Sequence, residues 1–172
     1  MQESILSLKI MEELLKKLSD AENSLIIQIK QLDVVNIEVS TEIHNKYKEI
    51  YLQYSEFYNK TQNLEALKRI IFIQWYAVVE PVTLTGIGEL DQEVERENLR
   101  NLYHLILHNK VDKEFLTMIL HYYYIGDWYF NSFYDFSEPL SAIKQEFAYY
   151  LMGQLKDRGQ MGYYWNSLNA AQ

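Results

Sequence analysis

The chain has 172 residues, a net charge of −8, 48% hydrophobic and 23% charged residues, and no cysteine. That balance describes one globular domain, or one with a helical extension, able to bury about two thirds of its unfolded surface. Acidity spread along the chain argues against a general affinity for nucleic acid or anionic membranes, and the missing cysteines exclude disulfide and thiolate chemistry. The first residues mix Glu and Lys with Leu and Ile, unlike a secretion signal. No apolar run reaches the roughly 20 residues of a membrane span. A soluble, cytoplasmic protein without membrane association is expected.

No Gly or Pro occurs before Pro81, which points to helix. Leu8, Leu15, Ile29, Ile43, Ile50 and Phe57 fall on a seven-residue comb whose only polar teeth are Glu22 and Asn36. Met11, Leu18, Leu25, Leu32 and Val39 form a second comb three residues on. Paired combs at this spacing are the signature of helices packed along a seam. Residues 1–62 therefore form a heptad-patterned helical segment, and residues 63–172 an aromatic-rich helical core within the same cooperative domain. One unbroken helix over 4–58 would be about 80 Å long, at ~1.5 Å per residue. The polar interruptions at Asp20–Ser24, Asp33–Asn36 and Gln62–Asn63 favour a folded-back arrangement instead. Period-two alternation over Ser24–Ser40 leaves a β-hairpin open there.

A helix is predicted from Asn63 to Glu80, ended by Pro81. Its stretch Lys68–Glu80, KRIIFIQWYAVVE, has no polar stripe, and only Gln74 interrupts the apolar run Ile70–Val79. A helix hydrophobic all round is one that neighbours surround. The fold class is thus all-α, a bundle of about six helices around this buried axis. Gln74, Trp75 and Glu80 are expected to be structural, with Glu80 anchoring the following segment through Arg69, Arg96 or Arg100. Val82–Glu89 reads as a loop, without the Gly-Lys-Ser/Thr of a phosphate site.

Leu90–His108 is a strong amphipathic helix, acidic at its start and basic at its end. Asp112 then caps a helix running to about Ile125 and stopping at Gly126, with Asp127 capping a short element through Phe136. Ser137-Glu138-Pro139 opens another helix with the stripe Leu140, Ile143, Phe147, Leu151 and Leu155, stopped by Gly159. The tail from Gln160 is expected to dock through Tyr163-Tyr164-Trp165.

Three features bear on chemistry. At 100° per residue, Glu93, Glu97, Arg100, Asn101, His104 and His108 share one helix face. His104 and His108 have the four-residue spacing that presents two imidazoles to one metal, with Glu97 and His121 as further candidate ligands. The Glu of His-Glu-x-x-His is missing, however, and the plainer reading is a solvated polar face. Arg100-Asn101-Leu102-Tyr103-His104 resembles the Arg-polar-x-x-x-His motif of HEPN ribonucleases, one residue shorter. That resemblance implies an all-α, dimeric ribonuclease with Arg100 on phosphate and His104 as general base.

The second feature is Tyr122–Phe136, with nine aromatics in fifteen residues. No Lys or Arg lies between Lys113 and Lys144, so the segment has the wrong sign for a nucleic-acid stacking platform. It reads as core, or as an interface using Tyr123, Trp128, Tyr129 and Tyr134. The third feature is the pair of combs. With them, the leading expectation is a non-catalytic protein–protein interaction or assembly protein that self-associates through its heptads. It would bind a protein partner or a second copy and need no cofactor. The alternative is a helical ribonuclease-like or metal-dependent enzyme using the face of helix 90–108.

Overall fold

A computed structural model of the protein describes residues 2–31, 41–141, 143, 155 and 157–170. Every regular element among them is helical: α1 (Gln2–Gln31), α2 (Thr41–Thr61), α3 (Leu64–Val79), α4 (Val82–Thr85), α5 (Gln92–Leu107), α6 (Lys113–Asn131), α7 (Ser137–Ser141) and α8 (Gly159–Ala170). The six longer helices form the bundle, and α4 and α7 are single turns. Among the described residues no helix is long and apolar enough to cross a membrane.

The bundle is built around α3, which packs against α2, α4, α5, α6 and α8. Ala66 to Trp75 are buried without interruption. The buried run therefore starts earlier than the expected axis and includes Lys68 and Arg69, while Val78 at the far end is exposed. The ends follow the local chemistry. Gln62 takes a positive φ of 55° after α2. Asn63 Oδ1 then caps α3 by accepting from Ala66 N at 3.1 Å. Glu80 is extended in front of Pro81 and closes the helix through its N–H to the Tyr76 carbonyl.

α1 runs unbroken through Asp20–Ser24, where an interruption is expected from composition. The polar groups there are satisfied inside the helix: Lys16 pairs with Asp20 at 2.8 Å, and Ser24 Oγ donates to the Asp20 carbonyl at 2.9 Å. The helix also excludes a hairpin over residues 24–31; the rest of that stretch, with the Asp33–Asn36 break, lies outside the described residues. α2 packs along α1, with Glu22 meeting Tyr54 and Ile29 lying with Ile43 beneath Gly86. This order makes the pair antiparallel and folded back. Leu15, Leu18, Leu25 and Ile29 share one buried core with Ile43, Ile50 and Phe57 of the same chain. The same core cluster continues to Trp165 across the 62/63 boundary.

Val82–Glu89 is not all loop, since α4 occupies its first half. Gly86 has φ +71°, and an added Cβ would overlap Ile29 Cδ1 and lie 3.1 Å from Ile43 Cγ2. Its role is to let the chain pass under the α1–α2 pair. α6 starts on the expected cap, Asp112, and α5 starts two residues later than expected, with Asp91 as its cap. α6 breaks at Gly126, where the stop is expected: the backbone leaves helical geometry there (φ −144°, ψ 53°) and a second helical piece runs on to Asn131. Of the expected stripe, Leu140 in α7 and Leu155 are buried and Ile143 is partly buried, whereas Phe147 and Leu151 fall outside the described residues. Gly159 starts α8 instead of stopping a helix. The tail docks as expected, with Trp165 Nε1 donating to Tyr122 Oη at 2.7 Å.

Gly86→Ala forces a side chain into occupied space at a left-handed backbone position. It is expected to destabilise by about 2 kcal/mol, a melting-temperature loss of roughly 4–8 °C for a chain this size. An unchanged melting temperature by circular dichroism would remove this role.

Candidate functional site

The polar face of α5 stands in solvent. Glu97, Arg100, His104 and His108 are all exposed. Arg100 reaches Glu97 loosely at 3.7 Å, and His108 Nδ1 donates to the His104 carbonyl at 2.7 Å, closing its own helix end. The neighbouring depression, about 320 Å³, is lined by Glu93, Arg96, Glu97, Arg100 and Tyr134 and includes neither histidine. His121 sits elsewhere, on α6, with Nε2 against the Tyr164 hydroxyl at 2.7 Å. Among the described residues no group of three His, Asp or Glu side chains is placed to hold a metal, so Glu97, His104, His108 and His121 are not brought together as ligands.

The aromatic segment divides at the Gly126 kink. Tyr129 is buried, its hydroxyl donating to Glu95 Oε1 at 3.2 Å, so it belongs to the core and not to an interface. Burial in turn pushes the Glu95 carboxyl above its usual range. Tyr123 and Tyr134 are half-buried: Tyr123 Oη accepts from Asn131 Nδ2 at 2.9 Å, and Tyr134 stacks on Tyr103 at 5.6 Å. Tyr124, Ile125 and Trp128 project outward, 83%, 46% and 58% exposed.

The three residues expected to be structural have different fates. Gln74 Nε2 donates to Tyr51 Oη at 3.1 Å, and Asn98 Nδ2 reaches the same hydroxyl at 3.2 Å and Ser55 Oγ at 3.0 Å. This knot joins α2, α3 and α5. Trp75 stacks on Tyr122 at 4.5 Å between α3 and α6. Glu80 makes no ion pair among the described residues: Arg69 is turned to Glu65, and Arg100 to Glu97. The expected anchor is absent because Arg69 lies near the opposite end of α3.

The feature that site reasoning missed is Glu22, the polar tooth of the first comb. It is 1% exposed. Its Oε1 accepts from Gln160 N at 2.8 Å, and its Oε2 accepts from Tyr54 Oη at 3.3 Å. Gly159 has φ +57°, and any Cβ there would fall on the Glu22 carboxylate. Tyr47 Oη donates to Gln160 Oε1, and Ser19 Oγ donates to the Asp157 carbonyl, so α1 and α2 together grip the first turn of α8.

From Tyr54 the polar chain continues outward toward the surface at Asp112. Arg69 donates to Tyr54 Oη at 3.0 Å and to Glu65 Oε1 at 3.0 Å. Arg158 bridges Glu65 at 3.1 Å and Glu114 at 2.8 Å, and Lys68 holds Glu114 and Asp112, each at 2.8 Å. Burial pushes the Glu22 carboxyl from 4.5 up to about 7, against the pull of the Gln160 amide, Arg69 and Tyr54. Glu114 and Asp112 go the other way: the Lys68 ammonium beside them holds both below the usual carboxylate range despite partial burial. A polar residue at a heptad core position was the available signal for Glu22.

Two outcomes follow from these environments. Glu80→Gln is expected to leave the melting temperature within about 1 °C, as for a surface substitution; a loss of several degrees would restore the anchor. For Glu22 the folded value lies above the unfolded one. Its contribution to stability is therefore fully present below pH 4.5 and lost as pH rises through about 7. Denaturant unfolding of the native chain minus that of Glu22→Gln should show this loss, on the order of 3 kcal/mol at about 1.4 kcal/mol per pKa unit. A pH-independent difference would contradict it. No protein-family model, no curated protein and no solved structure matches the chain.

Proposed function

We propose that the protein is a non-catalytic protein-interaction module, and that its partner docks on the outer half of α6. The observation that carries this reading is the exposure of Tyr124, Ile125 and Trp128 together around the Gly126 kink. Large aromatic side chains left in water beside one another are the anchors that interface cores use. Next to them lies an open groove of about 530 Å³ with Leu120, Tyr123, Tyr124 and Leu140 as its apolar walls and Asp127 at its edge.

The charge around it narrows the partner. Asp127, Asp135 and Glu138 are exposed, and no Lys or Arg occurs between Lys113 and Lys144. An apolar segment carrying lysine or arginine complements this surface, and an acidic one does not. The comb residues Leu15, Leu18, Leu25, Ile29, Ile43, Ile50 and Phe57 are buried inside the chain, so docking is assigned to α6 and not to α1 or α2. A cytoplasmic setting, consistent with the acidic, cysteine-free composition, belongs to the same proposal.

Fluorescence titration with a short Leu/Lys peptide and a Leu/Glu control tests it. The native chain should prefer the basic peptide, and Trp128→Ala should weaken binding about tenfold or more without changing the melting temperature. Equal binding of both peptides, or no effect of Trp128→Ala, would overturn the assignment. So would RNA cleavage by the native chain that His104→Ala abolishes.

A further inference from the structure

The polar chain beneath α8 is charge-balanced before Glu22 is counted. Its cations are Lys68, Arg69 and Arg158, and its paired carboxylates are Glu65, Asp112 and Glu114. Glu22 lies at the fully buried end of this set, where an ionised carboxyl is a fourth negative charge and a protonated one leaves the set neutral. Neutral Glu22 also fits its hydrogen bonds: Oε1 still accepts from Gln160 N, and Oε2 can donate to Tyr54 Oη, which already accepts from Arg69.

The roof over this carboxyl is the first turn of α8. That turn is reached through two left-handed residues, Asp157 (φ 66°) and Gly159 (φ 57°), on either side of Arg158. Beyond it the helix is held by Trp165 and Tyr164 and bordered by two open grooves, one of about 230 Å³ between Asn23 and the Gly159–Asn166 stretch and one of about 280 Å³ beside Tyr163 and Tyr164. The floor is the packed α1–α2–α3 core, and the roof is a single helix with solvent along both grooves, so local opening can expose it without unfolding the floor.

We propose that α8 is a pH-operated cover, seated while Glu22 carries a proton and released from the α1–α2–α3 floor when Glu22 ionises. Release hydrates the unmatched charge and uncovers an aromatic bed of Phe72, Trp75, Tyr76 and Tyr122, against which Tyr164 and Trp165 now pack.

The groups facing Glu22 do not compete for this role. On α2, burial raises the phenols of Tyr47 and Tyr54, so both stay neutral; Arg69 on α3 stays charged; and the Asp157 side chain on the approach to α8 is exposed. His121 on α6 acts on the acid side. Burial lowers its imidazole below 6.5, so protonation there disturbs its bond to Tyr164 only at more acid pH.

Hydrogen exchange on the full chain, corrected for the intrinsic rate, reads the cover directly. Between about pH 4.5 and 7 the protection of the α8 amides should fall by roughly tenfold per pH unit and level off above 7, while α3 stays protected; in Glu22→Gln, α8 should stay protected at all these values. Three results would overturn the proposal: flat protection of α8 in the native chain, a slope that survives in Glu22→Gln, or equal loss across all helices. If Glu22→Gln does not fold, carbon-detected NMR of the native chain decides. A Glu22 carboxyl midpoint near 7 that coincides with the shift of the Trp165 indole N–H supports the cover, and a midpoint below about 5 rejects it.

Discussion

Burying α3 on every side from Ala66 to Trp75 takes Lys68 and Arg69 out of water together with the apolar residues. A buried cation without a partner costs several kcal/mol, so these two dictate what surrounds them. Lys68 draws the start of α6 inward through Asp112 and Glu114, and Asp112 also caps that helix. Arg69 draws in Glu65 and Tyr54, and Arg158 closes the circuit next to α8. The polar network is therefore not an addition to the bundle. It is the condition under which the central helix can be buried with two charges on it.

The same requirement accounts for the tyrosines of α2. Tyr47, Tyr51 and Tyr54 are fully buried, yet each hydroxyl meets a polar group: Gln160, the Gln74–Asn98 knot, and Glu22 with Arg69 respectively. A tyrosine adds apolar area near its own helix and a hydroxyl at the far end, which suits a core threaded by polar side chains. Leucine in these places would fill space and leave the amide and guanidinium groups unanswered.

The bundle, its buried axis and several helix ends were legible because they depend on local rules: Asn63 and Asp112 cap where caps are expected, and Pro81 stops α3. Other features depend on partners distant in sequence and were not legible. Asp20 and Ser24 look like a helix break, but their groups are satisfied within α1. Gly159 looks like a stop because its need for a bare Cα comes from Glu22 on another helix. Lys68 and Arg69 stand within the expected axis, but Tyr54, Asp112 and Glu114, which make their burial tolerable, are distant in sequence. For the candidate site, the sequence put Arg100 and His104 on one polar face, most plainly a solvated one, and both are exposed. It did not indicate that Tyr129 turns inward while Trp128 turns out. Glu22 was visible as the wrong residue type at a core position, and its use was not.

The account rests on a core whose ionic pairs are balanced without Glu22, so that this carboxyl is held as the neutral acid. Infrared difference spectroscopy of the native chain, with Glu22→Asp to assign the band, tests that directly. At pH 6 the spectrum should contain the carbonyl stretch of a protonated carboxylic acid that moves in the variant and disappears as pH rises above about 7. If Glu22 shows only carboxylate bands at pH 6, the buried network tolerates a fourth negative charge and the account of how α3 and α8 are held together is wrong.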